Sequence, residues 1–344
     1  MRDEARERER AGAVAVLGGG AWGTCLALLL RGKGEEVRLW VRRPEQLETV
    51  RRDRENRRYL PGVPVPPELP MTTSLAEAVR DAEVVVFAVP SQRLRATARA
   101  ASPHVRREAL LVSAVKGIEE ETLRRMSEVL AEEIAGADGE RVTALAGPSH
   151  AEEVARGAPT VVVAASRSLP AAERVRALFG TDSFRIYTNA DLVGVELAVS
   201  LKNVIAIAAG ICDGLGFGDN TRGALLSRGL AEITRLGAAM GARERTFWGL
   251  AGVGDLVTTA TSRHSRNRRV GEEIGRGRGL AEVLDELVMV AEGVPTTRCA
   301  ARLAEIHRVE MPITGEVHAI LFERKDPRLA LSALMRRLPK EEGA

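Results

Sequence analysis

Between residues 13 and 187 the chain alternates short β-branched runs with segments of helical periodicity. The runs are Ala13–Leu17, Glu36–Val41, Glu83–Ala88, Ala109–Ser113, Val142–Ala146, Thr160–Ala164 and Phe184–Tyr187. Between them, Thr24–Arg31, Leu75–Ala82, Glu121–Ile134 and Ala171–Phe179 place apolar residues at helical spacing. Such alternation predicts βαβ units and a mainly parallel sheet covered on both faces. From residue 190 the strand signal fades and long helical stretches take over. The pattern predicts an α/β domain over residues 1–189, with 1–11 as a charged arm, followed by an all-α domain over 190–344. No repeat or low-complexity linker separates the two, so they are expected to pack closely.

The first run feeds directly into Gly18-Gly19-Gly20-Ala21-Trp22-Gly23, a GxGxxG pattern, and an apolar helix follows. Gly18 permits the tight turn, Gly20 lets backbone approach a pyrophosphate, and Gly23 lets helix and strand pack closely. The helix N-terminus supplies N–H donors and a positive dipole end. Placed after a strand and before a helix, the pattern predicts a Rossmann-like dinucleotide site. A glycine-rich turn without a ligand is the plainer alternative. The second run ends in Arg42-Arg43, with no acid before Glu45. Arginine there suits the 2′-phosphate of NADP, whereas an acid would suit the ribose of NAD. NADP is therefore slightly favoured over NAD, unless the two arginines are simply solvated.

The 344 residues include 50 basic and 47 acidic side chains, a net charge of +3 that gives no bulk attraction to nucleic acid. Three cysteines without a CxxC pattern argue against disulfides and zinc, and five histidines without HxxxH pairing argue against a metal. Met1–Arg10 is almost wholly charged and reads as a solvated arm, not a secretory signal. Leu192–Cys212 is apolar enough to suggest a membrane span, but Glu196, Lys202 and Asn203 interrupt it. A buried core helix is the expectation, and with it a cytoplasmic protein.

Only five of the 50 cationic residues are lysines. Lys33, Lys325 and Lys340 lie in polar stretches. Lys116 instead ends an apolar run, at the strand edge where open parallel sheets bind ligands. Lys202 sits within a helix apolar on nearly every face. Arginine stays protonated, but a buried lysine can lose its proton, as a group that exchanges a proton with an alcohol must. The alternative is a structural ion pair with Glu196 or Asp255.

Three glycine-rich or polar turns add candidates. Gly147-Pro148-Ser149-His150-Ala151 follows a strand and opens a helix, so its N–H groups could hold a phosphate or carbonyl oxygen. His150 is expected to be structural. Asp255, in Gly252-Val253-Gly254-Asp255-Leu256, could tune a neighbouring lysine or cap a helix. Ser262–Arg269 is the densest basic cluster, and its lack of aromatics favours capture of one phosphate over nucleic acid.

Together these residues resemble the NAD(P)-dependent glycerol-3-phosphate dehydrogenases across almost the whole chain. The matching stretches are Gly18–Thr24, Asn56–Pro61, Val89–Ser91, Lys116–Glu119, Gly147–Ser149, Leu201–Val204, Gly214–Arg222, Gly252–Leu256 and Ser265–Asn267. The resemblance implies reversible reduction of dihydroxyacetone phosphate to sn-glycerol 3-phosphate for phospholipid synthesis, and a possible homodimer. It implies Lys202 as proton donor and acceptor, with Lys116 and Asp255 in the catalytic group. It further implies substrate contacts from Lys116, Gly147, Ser149, Asn203, Asp255, Ser265, Arg266 and Asn267. Besides the glycine loop, Trp22, Arg42, Arg43, Tyr59, Lys116, Ala151, Arg266, Val290 and Glu292 resemble cofactor contacts. Ala21 stands where many members carry serine, and His150 differs from the aromatic residue common there. The competing expectations are a 3-hydroxyacid or ketopantoate-type reductase and a non-catalytic NAD(P)-sensing protein.

Overall fold

The computed structural model describes residues 12–137, 139–339 and 341; the charged arm and Lys340 lie outside the described residues. Eight strands form one sheet: β1 (Val14–Leu17), β2 (Val37–Trp40), β3 (Met71–Thr72), β4 (Val84–Phe87), β5 (Leu110–Ser113), β6 (Val142–Ala146), β7 (Thr160–Ser166) and β8 (Phe184–Asn189). Their order is β3-β2-β1-β4-β5-β6-β7-β8. Every neighbouring pair is parallel except β6 with β7. The chain builds outward from β1 through β2 and β3, then crosses to β4 on the other side. That reversal opens a crevice beyond the carboxyl ends of β1 and β4, where open α/β sheets take their ligands.

The strands are apolar because both faces are covered. Val14 and Val16 of β1 join one core cluster while Ala15 and Leu17 join the other, following the two-residue period of a strand. The first face packs against α1 (Ala21–Gly32) and, further along the chain, Leu169–Phe179. The second packs against Leu75–Val79, Leu94–Ala101 and Met126–Glu133. In chain order we label the remaining helices of this half α2 (Pro44–Asp53), α3 (Leu75–Val79), α4 (Leu94–Ala101), α5 (Met126–Glu133), α6 (Ala151–Val154) and α7 (Leu169–Phe179).

Past β8 come α8 (Leu192–Gly214), α9 (Asp219–Ala239), α10 (Glu244–Phe247), α11 (Asp255–Thr261), α12 (Arg266–Gly275), α13 (Leu280–Asp285), α14 (Gly293–His307), α15 (Pro312–Phe322) and α16 (Pro327–Met335). Helix α8 is the axis around which the others pack. It is long and apolar enough to cross a membrane, yet 94% of its most apolar window is buried against protein. Glycines on α8 and α12 make one contact unusually close. A Cβ on Gly210 would lie 1.9 Å from the Arg268 carbonyl oxygen, and one on Gly271 1.9 Å from that of Ile207. The α8 and α12 backbones therefore nearly touch, which fixes the two helices that carry Lys202 and Arg266.

Three sequence expectations need correcting. Strand β3 was absent from them, because two residues carry no readable period. The helix expected over Glu121–Ile134 begins at Met126 instead. Ile118 and Arg125 form a bridge, and carboxylates take the first helical donors: Arg125 N–H donates to Glu128 at 2.8 Å and Ser127 N–H to Glu196 at 2.7 Å. The helix expected over Leu75–Ala82 stops at Val79, and Asp81 turns out of it at φ 57°.

Candidate active site

The glycine loop is shaped by contacts no side chain could survive. Gly18 has φ +132° and a Cβ there would sit 2.5 Å from the Ala88 carbonyl oxygen; a Cβ on Gly23 would sit 1.9 Å from that of Gly18. Around Gly20 nothing lies within 4 Å of such a Cβ. No side chain caps α1, so its first N–H groups have no side-chain acceptor among the described residues. The loop is held from behind by Gln46 and Asn56, which donate to the Gly19 carbonyl oxygen at 2.5 and 3.1 Å. An open cradle of uncapped donors is what a pyrophosphate needs, so the residues fit a dinucleotide.

The rest of the expected cofactor set is divided between the sheet half and the helical half. Ala21 opens α1, and Trp22 leans on Phe184 with its buried indole N–H unpartnered among the described residues. Beyond β2, Arg42 is exposed; Arg43 donates to the Tyr59 hydroxyl, and the Arg43 and Arg58 guanidiniums lie 5.9 and 5.6 Å from the Tyr59 ring centre. Ala151 opens α6. The carboxylate of Glu292, just before α14, accepts from Ser91 N–H at 2.9 Å and from the Ser91 hydroxyl. Burial pushes the Glu292 carboxyl up despite these bonds. Val290 is exposed, and its carbonyl oxygen accepts from Arg266 at 2.7 Å.

The centre of the crevice is one carboxylate between two amines. Lys202, on α8, is 3% exposed and donates to Asp255 Oδ1 at 2.7 Å. Lys116, from the loop after β5, donates to Asp255 Oδ2 at 3.0 Å and to the Gly147 carbonyl oxygen at 2.6 Å, with the Ser149 hydroxyl at 3.4 Å. Thr259, one turn along α11 from Asp255, accepts from Lys202 and donates back to Asp255 Oδ1 at 3.2 Å. Asp255 is delivered by a π-helical turn, Leu250–Gly254, in which a Cβ on Gly252 would lie 1.8 Å from the Phe247 carbonyl oxygen. Such turns often mark functional sites.

Burial lowers the Lys202 amine from 10.5 to about 7, with Asp255 opposing the fall and Lys116 adding to it. Burial alone would raise the Asp255 carboxyl, but Lys116 and Lys202 hold it below its usual value. Asp255 thus stays charged, and the Lys202 amine titrates near neutrality. Glu196, the other partner open to Lys202 from sequence, instead pairs with Arg125 at 2.6 Å. Asp255 is no helix cap either: Gly254 holds that position and no side chain caps α11.

Around this centre, Asn267 Nδ2 donates to Asn203 Oδ1 and Gly293 N–H donates to Asn267 Oδ1, both at 2.9 Å. The two buried asparagines therefore tie α8, α12 and α14 together. Ser265 caps α12, accepting from Arg268 N–H at 3.2 Å. The basic cluster divides: Arg268 is paired with Asp213 at 2.7 Å, whereas the Arg266 side chain is exposed and its charge reaches Lys202. Thr259, Ser91 and Gln46 were not singled out from sequence. Thr259 carried one signal, its four-residue spacing from Asp255 on a helix.

A glycine cradle at a sheet reversal, facing a buried lysine–aspartate pair on an all-helical second half, defines a dinucleotide-dependent dehydrogenase. Residues 13–172 match the family model for the NAD-dependent glycerol-3-phosphate dehydrogenase N-terminus, and residues 191–332 match that for the C-terminus. The chain belongs to the NAD-dependent glycerol-3-phosphate dehydrogenase family. It is 53% identical over 326 residues to a glycerol-3-phosphate dehydrogenase [NAD(P)+] of Pelotomaculum thermopropionicum, covering 95% of this chain and 93% of that one. A crystal structure of glycerol-3-phosphate dehydrogenase from Coxiella burnetii superposes with TM-score 0.90 at 37% identity, covering 96% of this chain and all of that one. A ketopantoate reductase structure from Ralstonia eutropha covers 94% of this chain and all of its own, with TM-score 0.59 and 17% identity; it shares the fold alone.

Proposed function

We propose that this protein interconverts dihydroxyacetone phosphate and sn-glycerol 3-phosphate with NAD(P)H, in the cytoplasm, supplying glycerol 3-phosphate for phospholipid synthesis. Residues 1–189 serve as its dinucleotide-binding domain and residues 190–344 as its helical domain. The observation that carries the reading is the bridge from Lys116 through Asp255 to the buried Lys202, at the carboxyl edge of the sheet.

When bound, the nicotinamide supplies the hydride. The loop Gly18–Gly23 and the N-terminus of α1 hold the pyrophosphate, and Arg42 and Arg43 favour the 2′-phosphate of NADP over NAD. Trp22, Tyr59, Ala151, Val290 and Glu292 line the dinucleotide, and Ser91 orients Glu292. Arg266 grips the substrate phosphate, aided by the cap of α12 at Ser265 and by the Asn267 amide. Binding of the phosphate, which takes no part in the chemistry, supplies orientation. Lys116, steadied by Gly147 and Ser149, polarises the carbonyl region. Protonated Lys202 donates to the oxygen on C2 as that carbon is reduced, and neutral Lys202 takes the proton back in the oxidative direction. Asp255 keeps the amine oriented, and Asn203 fixes the helix turn beside it.

NADPH or NADH oxidation assayed with dihydroxyacetone phosphate and, in parallel, with ketopantoate tests this reading. Turnover with the phosphate ester and little with the carboxylate is expected. The reverse preference, or no turnover with either, overturns it and favours a carboxylate reductase or a sensor.

A further inference from the structure

The loop between Gly147 and Ala151 carries a side chain with no role in the scheme above. His150 occupies the cap position of α6, and its Nε2 is fully buried with no hydrogen-bond partner among the described residues. Such an atom is costly unless something pairs with it. The nearest ring does not: His264 stands 5.8 Å away at 49°, and its own Nε2 accepts from Arg263. The charged and titratable groups facing His150 are Lys116, Lys202, Asp255 and His264. Burial and the two lysines push the imidazole down to about 4, so the ring is neutral, with a single N–H to give.

The position of the ring names the partner. His150 adjoins Ser149, which meets the Lys116 amine, and it faces His264, two residues before Arg266. It therefore lies beside the two amines and against the turn that leads into Arg266, and on the function proposed above the phosphate-ester arm of the substrate runs between them. We propose that His150 positions the substrate by donating a hydrogen bond from Nε2 to a phosphate oxygen held between Lys202 and Arg266. This rests on the function proposed above and adds a specificity residue to it.

The test compares wild type, His150→Phe and His150→Gln on dihydroxyacetone phosphate and on unphosphorylated dihydroxyacetone. A hydrogen bond to a charged group predicts that His150→Phe raises KM for the phosphate ester roughly tenfold, with kcat changed less than about twofold. His150→Gln, whose Nε2 reaches a similar position, regains most of that loss. Neither variant changes KM for dihydroxyacetone. An unchanged KM for the phosphate ester, an equal rise for both substrates, or a glutamine variant as impaired as phenylalanine overturns the role of His150 alone. Wild-type protein inactive on the phosphate ester overturns the proposed function as well.

Discussion

At the scale of single residues the account rests on one amine. A chain that uses arginine almost everywhere keeps lysine at two crevice positions, and of these two cations only lysine can be tuned to release a proton near neutrality. That contrast was visible in the sequence, because 45 arginines make each lysine conspicuous. The roles of Thr259 and Ser91 were not visible, since a hydroxyl is read only from what tertiary packing brings beside it. Lys202→Ala should lower kcat by about a thousandfold, the usual weight of a positioned acid–base group, with cofactor affinity by fluorescence titration nearly unchanged. Activity within tenfold of wild type would remove Lys202 from the chemistry. Arg266→Ala should raise KM for dihydroxyacetone phosphate about tenfold to a hundredfold, the range expected for a lost charge-assisted bond. The control is cofactor KM, which should move far less.

At the scale of elements, buried carboxylates organise helix starts. Glu196 caps α5 from within α8, and Glu232 of α9 does the same for α15, accepting from Ile313 N–H at 2.6 Å and Thr314 N–H at 3.1 Å. Neither was legible, because an acid in an apolar helix looks like noise until its partner helix is known. Glu232→Ala strands two buried N–H groups and should cost about 2–4 kcal/mol, read from the urea midpoint at constant m. Burial raises the Glu232 carboxyl from 4.5 to about 7 in the folded protein. A raised folded value means its contribution is full below pH 4.5 and fades as pH rises through about 7. Wild type should therefore lose stability relative to Glu232→Gln as pH rises across that window. The strand–helix alternation that predicted the sheet succeeded because strands buried on both faces are continuously apolar; β3 escaped because two residues cannot show a period.

At the scale of the whole molecule, the site exists only where the halves meet. Lys116 comes from the sheet and Lys202, Thr259 and Asp255 from the helices, while Ser91 with Glu292 and Arg298 with Glu120 join the two along the crevice. Motifs located Lys116, Lys202, Asp255 and Glu292 in the sequence, but only the fold showed that one carboxylate serves both amines. The direct test is kcat/KM against pH in both directions, above pH 6.5 where the substrate phosphate is already largely dianionic. With Lys202 near 7, ketone reduction needs the protonated amine and should fall as pH rises through that value. Alcohol oxidation needs the neutral amine and should rise through the same value. Two profiles that stay flat from pH 6.5 to about 9, or that move in the same direction, would contradict a buried lysine as the proton carrier.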